Sequence, residues 1–305
     1  MAAWKTIRIT KPCTLRIDNG NLVIEDKEYR FKLSLDDTDS IVFEGDRFMV
    51  SAKVLAALAK HKIATLFCDE YYMPNAILHP YHQSSLATRV LKAQIHLPTE
   101  YADNLWQQII IAKIENQRKV LEVLQKEYGK LEEYKHKVAL ADKYGAEAKS
   151  ARFYWSRIFK GLIREQESFD IRNQALNYAC ALVRSLITRD LSAAGFLPAL
   201  GLWHKSELNA FNLSDDLMEP FRPIVDIGVY YILEQYGDEE MLNSEIKRSL
   251  ISLLDIEYLE YEAGCSSLRS VSKLYIQQFK RSVEHRDVAM LSYPAFDCEK
   301  LYECI

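Results

Sequence analysis

A chain of 305 residues, 49% hydrophobic and 27% charged, is long enough for two cores and too apolar for a disordered polymer. No run reaches the roughly 18 apolar residues of a membrane span, and Met1-Ala2-Ala3-Trp4-Lys5 leads into alternating residues rather than a secretory signal. A cytoplasmic protein without a membrane partner is expected. The net charge of −4 speaks against indiscriminate binding of polyanions. Charge is uneven, however: residues 143–190 hold nine Lys/Arg against five acids, a basic band that suits a local phosphate track.

Short strands open the chain. Thr6-Ile7-Arg8-Ile9, Thr14-Leu15-Arg16-Ile17 and Leu22-Val23-Ile24 alternate, and Asn19-Gly20 between the last two predicts a type I′ hairpin. Tyr29-Arg30-Phe31-Lys32-Leu33 and Ile41-Val42-Phe43-Glu44-Gly45 continue the sheet. Ser51 predicts the cap of a helix over 52–62, followed by a buried strand, Ala64-Thr65-Leu66-Phe67-Cys68. The chain passes through roughly 71–98, interrupted by Pro74 and Pro80 and carrying the His79-Pro80-Tyr81-His82 cluster, into the connecting segment over 81–98, with Ser84 or Ser85 as a helix cap. The two histidines lack a nearby acid and read as surface or inter-domain residues, with contact to DNA phosphate left open.

Beyond Thr99 glycine becomes sparse and apolar residues recur at helical spacing. One or two long helices are predicted over 101–137 with a break at Gly129, then further helices over 146–163, 170–194, 215–236, 243–262 and 266–284. The expected fold is a multidomain α+β chain: a β-rich domain over 1–80, a connecting segment over 81–98, and a larger all-α catalytic domain over 99–305. The six cysteines are scattered without a CxxC pair, so neither a disulfide framework nor a zinc site is expected.

Three segments of the helical half carry candidate chemistry. Glu147 follows Gly145 at a helix start, where a carboxylate also complements the helix dipole. His204 ends an apolar loop, where an imidazole serves either as a satisfied core residue or as a metal ligand. Asp216 and Glu219 are three apart and share a helix face, which a cation would stabilise; Asp226 lies seven residues further on as a supporting acid. Each segment also has a purely structural explanation. Their joint occurrence with the basic stripe Lys149, Arg152, Ser156 and Lys160 favours a metal site beside a DNA track. Lys205 and Arg222 are further candidate phosphate contacts.

These residues resemble a known family. Gly145-Ala146-Glu147-Ala148 with Ala151 and Tyr154, Asn173-Gln174-Ala175-Leu176-Asn177-Tyr178, Leu197-Pro198-Ala199-Leu200-Gly201-Leu202-Trp203-His204 and Asp216-Leu217-Met218-Glu219-Pro220-Phe221-Arg222-Pro223 are similar, in order, to the CRISPR adaptation integrase, CRISPR-associated protein one. The run Ser206-Glu207-Leu208-Asn209-Ala210-Phe211-Asn212-Leu213 looks most like type II members. The resemblance implies Glu147, His204 and Glu219 as catalytic metal ligands for Mg²⁺ or Mn²⁺, with Asp216 as a supporting acid. It also implies a homodimer formed through the β-rich domains and assembly with CRISPR-associated protein two on a double-stranded protospacer. The implied reaction is attack of a DNA 3′-hydroxyl on a phosphodiester at the leader–repeat boundary or the far repeat end. In type II systems an RNA-guided effector nuclease and a ring-shaped adaptation protein also take part. Two other readings use the same residues: a metal-dependent nuclease of branched DNA that does not integrate, and a non-catalytic DNA-binding scaffold.

Overall fold

The computed structural model describes residues 5–45, 47–70, 73–78, 87–165, 168–237, 239–262 and 264–304. His79, His82, Ser84 and Ser85 lie outside the described residues. The chain divides into two compact units, residues 1–85 and 86–305.

The first unit contains β1 (Lys5–Ile9), β2 (Cys13–Asp18), β3 (Asn21–Glu25), β4 (Arg30–Ser34), β5 (Thr38–Phe43), β6 (Phe48–Val50), α1 (Ala52–Lys60), β7 (Ala64–Cys68) and β8 (Pro74–Leu78). They form two four-stranded sheets, in the orders β1-β5-β7-β8 and β4-β3-β2-β6. The β2–β3 hairpin turns on Asn19 and Gly20, both at positive φ (47° and 77°), the conformation a type I′ turn demands. Ser51 caps α1 by accepting the Val54 N–H. Ile9, Leu15, Leu22, Ile41, Phe43, Val54 and Leu58 bury a core shared by strands of both sheets and α1.

The second unit begins with α2 (Ala87–Ile95), α3 (Thr99–Val123), α4 (Gly129–His136), α5 (Ala146–Ile158), α6 (Ile171–Ala194), α7 (Asn212–Met218) and α8 (Arg222–Tyr236). Then come α9 (Ser244–Ser252), β9 (Glu257–Tyr261), β10 (Gly264–Ser267), α10 (Leu268–His285), β11 (Ala295–Phe296) and α11 (Cys298–Cys304). α3 runs against α4, α5, α7 and α8, and α6 packs against α7, α8, α9 and α10. Leu105, Trp106, Ile109, Ile110, Ile114, Val120 and Leu121 give α3 a buried face, the stripe expected of a helix inside a bundle.

The unit is not all α. β9 pairs antiparallel with both β10 and β11, so the helix predicted over 243–262 stops at Ser252. Ile246, Leu250, Leu254 and Tyr258 keep a four-residue spacing across the break, so periodicity conceals it; Tyr258, Leu259 and Tyr261 are buried as strand residues. The break in the 101–137 helix precedes Gly129, with Gln125 at φ 53°. Among the described residues no helix is long and apolar enough to cross a membrane.

Candidate functional site

Glu147 stands in the first turn of α5 because its approach is tightly made. Asp142 accepts the N–H of Ala146 at 2.7 Å and of Glu147 at 3.0 Å, satisfying two donors that a helix start leaves open. Gly145 enters the helix at φ 63°, a left-handed conformation available to glycine at little cost.

Glu219 stands where α7 gives way to α8. Residues Glu219–Phe221 form a single 3₁₀ turn. Pro220 and Pro223 lack the N–H groups that would bond back four residues, and the Glu219 carbonyl instead accepts the Arg222 N–H. That change of pitch occurs at the acid itself, whose side chain is buried.

Between the two acids lies a cation that sequence reading did not single out. The Lys113 ammonium, on α3, is 2.8 Å from Glu147 Oε1 and 2.5 Å from Glu219 Oε2. Only 7% of Lys113 is exposed, so without these partners its charge would be costly. Burial pulls its pKa down, but Glu219 and Glu147 outweigh that and hold it above the ordinary lysine value. Glu219 is pulled the other way. Burial opposes its charge, yet Arg222, Lys113 and His204 bring its pKa down to about 2, so it is ionised. Arg222 donates to Glu219 Oε1 at 2.8 Å and also approaches Asp215. The structure therefore turns Arg222 towards carboxylates of the site, although 30% of its side chain remains exposed.

His204 is set by Asp216. The loop before it is tied down by Gln94 of α2, which donates to the Leu197 and Leu200 carbonyls and accepts the Leu197 N–H. Asp216, fully buried, accepts the N–H groups of Leu202, Trp203 and His204 and pairs with His204 Nδ1 at 2.6 Å. The hydrogen bond to Asp216 raises the His204 pKa against partial burial, and Glu219 and Glu147 raise it further. The loop is also stacked: Trp203 lies on Trp106 with centroids 5.5 Å apart, and His204 meets the same Trp106 edge-on.

Two of the three predicted ligands thus meet directly, across Lys113, while the third lies in their field but is turned onto Asp216. Among the described residues no group of three His, Cys, Asp or Glu side chains is arranged to hold a metal ion as it stands. The expectation was convergence of the acids and the imidazole on one cation; in the structure the Lys113 ammonium lies between the two carboxylates. The donor chemistry suits a divalent cation: an ionised buried carboxylate, a second carboxylate facing it, and an imidazole whose Nδ1 is engaged with Asp216, so that Nε2 is the nitrogen that would be available to a metal. Asp226 is buried deeper, accepts the Tyr154 hydroxyl at 3.1 Å, and is pushed by burial up to about 7.

The basic stripe faces outward. Lys149, Arg152, Ser156 and Lys160 are all exposed on α5 or just beyond it, with the Lys149 ammonium on the Tyr144 carbonyl. Lys205 is exposed as well. Arg157, between them in sequence, is instead paired with Glu127.

The model of the family described as CRISPR associated protein Cas1 matches residues 7–241. The chain belongs to the Cas1 family. The CRISPR-associated endonuclease Cas1 of Neisseria meningitidis is 31% identical over 293 residues, 95% of this chain and 96% of that one. Among solved structures, a casposase bound to integration product superposes with a TM-score of 0.78 at 19% identity, covering 94% of this chain and 91% of its own. The Cas1-containing chain of a Cas6-RT-Cas1–Cas2 complex gives 0.76 at 18% identity, covering 96% of this chain but 36% of that longer one. These two likenesses concern the fold. The Cas1 match spans Glu147, His204, Asp216 and Glu219.

Proposed function

We propose that this Cas1-family protein is a metal-dependent DNA endonuclease and integrase. It would insert protospacer DNA into a CRISPR array by directing a DNA 3′-hydroxyl against a phosphodiester at a repeat end. The observation that carries the reading is the meeting of Glu147 and Glu219 on one cation, Lys113, with His204 held by Asp216 in the field of the two acids. Glu147, His204 and Glu219 are the residues that would hold Mg²⁺ or Mn²⁺. Bound there, the ion supplies Lewis acidity to the phosphoryl group and to the attacking hydroxyl.

The protein's own residues do the rest. Asp216 keeps the His204 ring in one orientation, with its proton on Nδ1 and the other nitrogen free to donate its lone pair. Arg222 neutralises Glu219 Oε1, which leaves Oε2, the oxygen beside Lys113, for a cation. Lys149, Arg152, Lys160 and Lys205 present exposed charge for the phosphate backbone. No side chain in the cluster is a convincing nucleophile, in keeping with direct transfer to a DNA hydroxyl.

The partners follow the same reading. A homodimer through the β-rich unit, assembly with a Cas2-type protein and binding of double-stranded DNA accord with a fold shared with a Cas1–Cas2 complex and a casposase on its integration product. The type II effector nuclease and ring-shaped adaptation protein are further proposed partners.

The test is a joined product between labelled duplex and supercoiled target carrying a repeat. Glu147→Ala and His204→Ala should each lower joining by at least about a hundredfold, the order expected for removing a principal electrostatic stabiliser. Cleavage of branched DNA without joining would favour the non-integrating nuclease. Unchanged joining in stable variants would leave only a DNA-binding scaffold.

A further inference from the structure

Lys113 marks where the acids meet in the reading above, but that reading gives it no task of its own, although it touches both acids. It sits in the middle of α3 with Ile109, Ile110 and Ile114 fully buried around it. Its backbone cannot drift from the Glu219 turn, because Asn116, three residues on, donates to the carbonyls of Pro220 and Pro294 at 2.8 Å each. The helix is therefore fixed relative to the acids. What remains adjustable is the four-carbon stem that carries the ammonium.

The two contacts are unequal in kind. Nζ makes a hydrogen bond to Glu147 Oε1, whereas the close approach to Glu219 Oε2 is poorly aligned, and that buried oxygen accepts no hydrogen bond. Coulombic attraction leads the second contact. Two facing carboxylates need a cation between them, since otherwise they repel and one of them is driven to protonate. A divalent ion held by Glu147 and Glu219 would supply positive charge to these same carboxylates. The ammonium already lies within hydrogen-bonding range of both oxygens. One gap cannot hold both cations.

We propose that Lys113 is a tethered counter-ion of this site: it holds Glu147 and Glu219 facing each other in the metal-free protein and withdraws when a divalent cation enters. Metal affinity is then a competition, lower than the three ligands alone would give, and the empty apo site is spared collapse. Lys113 is in this sense a positioning residue. The inference rests on the metal-site reading of Glu147, His204 and Glu219.

Two measurements on the full chain test it. The first compares wild type with Lys113→Met, which keeps the length of the side chain and removes the charge, by Mn²⁺ titration followed through the paramagnetic signal of free Mn²⁺. The variant should bind Mn²⁺ at least about tenfold more tightly, the low end of what one like charge does at such range. It should also melt at a lower temperature in EDTA and regain more than wild type on adding MnCl₂. Equal or weaker Mn²⁺ binding by the variant overturns the proposal.

The second measurement uses wild type only, so it stands even if Lys113→Met does not fold. Crystals soaked in MnCl₂ and located by anomalous scattering should place an ion against Glu147 and Glu219, with the ammonium off both. An ion there with Lys113 still bridging the two acids overturns the counter-ion role and leaves the metal site intact. No ion at either acid overturns the metal-site reading, and the inference with it.

Discussion

Asp216 Oδ1 lies 2.6 Å from His204 Nδ1, and the same carboxylate gathers the N–H groups of Leu202, Trp203 and His204. One buried acid thus shapes the loop and aims the ring that the loop carries. Replacing it with alanine leaves three amides and a ring nitrogen without their acceptor. Asp216→Ala should cost at least about 3 kcal/mol in denaturant unfolding. Asp216→Asn, which keeps the volume, should weaken Mn²⁺ binding roughly 10–100-fold, as loss of a ligand's hydrogen-bonded support does. A fall in stability with unaltered Mn²⁺ affinity would confine Asp216 to loop packing.

Gly201 makes room for that carboxylate. A Cβ there would lie 2.8 Å from Asp216 Oδ2 and 2.9 Å from Asn212 Cβ, with the His204 carbonyl closer still. Since backbone rather than a flexible chain end is in the way, Gly201→Ala should destabilise the protein by about 2–3 kcal/mol. It should also reduce DNA joining through displacement of His204. A melting temperature within a degree of wild type would show that the loop yields.

The exposed stripe makes a different prediction. Lys149→Ala with Arg152→Ala removes two charges that face solvent on α5. Stability should be nearly unchanged, duplex affinity should fall, and the slope of log K against log salt should shrink by about 2 units if each residue neutralises one phosphate. An unchanged slope would take both residues off the DNA path.

Asp226 predicts a pH dependence. Its pKa is about 7 in the folded protein, well above the ordinary carboxylate value, because it is buried. Between about pH 4 and 7 the folded state keeps a proton that the unfolded state has released, so stability falls as pH rises through that window and levels off above it. Asp226→Asn removes this contribution. Between pH 5 and 8 wild type should lose on the order of 2–3 kcal/mol more than the variant in urea unfolding. Parallel pH profiles would show that Asp226 ionises as an ordinary acid.

The β-rich unit was largely legible in the chain, since alternation, Asn19-Gly20 and the Ser51 cap are local signals that the two sheets obey. Glu147 was legible as an acid at a helix start, whereas Asp216, expected near the start of a helix over 215–236, lies in the last turn of α7, and Glu219 opens the 3₁₀ turn that contains Pro220. Lys113 was not singled out, because a lysine among Ile109, Ile110 and Ile114 looks like one polar break in a stripe. Yet Lys113 repeats the phase of Leu105 and Ile109 at intervals of four, which places it on the buried face, where a lysine requires acids. Which acids Lys113 meets depends on tertiary packing that no local pattern encodes. The strand at Glu257–Tyr261 was hidden for the opposite reason, a helical rhythm that continues where the helix does not.

α3 supplies Trp106 beneath the histidine loop, Lys113 between the acids and Asn116 against the turn that bears Glu219. None of these lies within the sequence span of 145–223 that contains every proposed ligand. A shortened polypeptide limited to that span would carry all three ligand residues and none of the beam on which they are mounted. Transplanting the site, or dissecting it, therefore has to start at least at Ala87, where α2 brings Gln94 to the histidine loop, well upstream of the first acid.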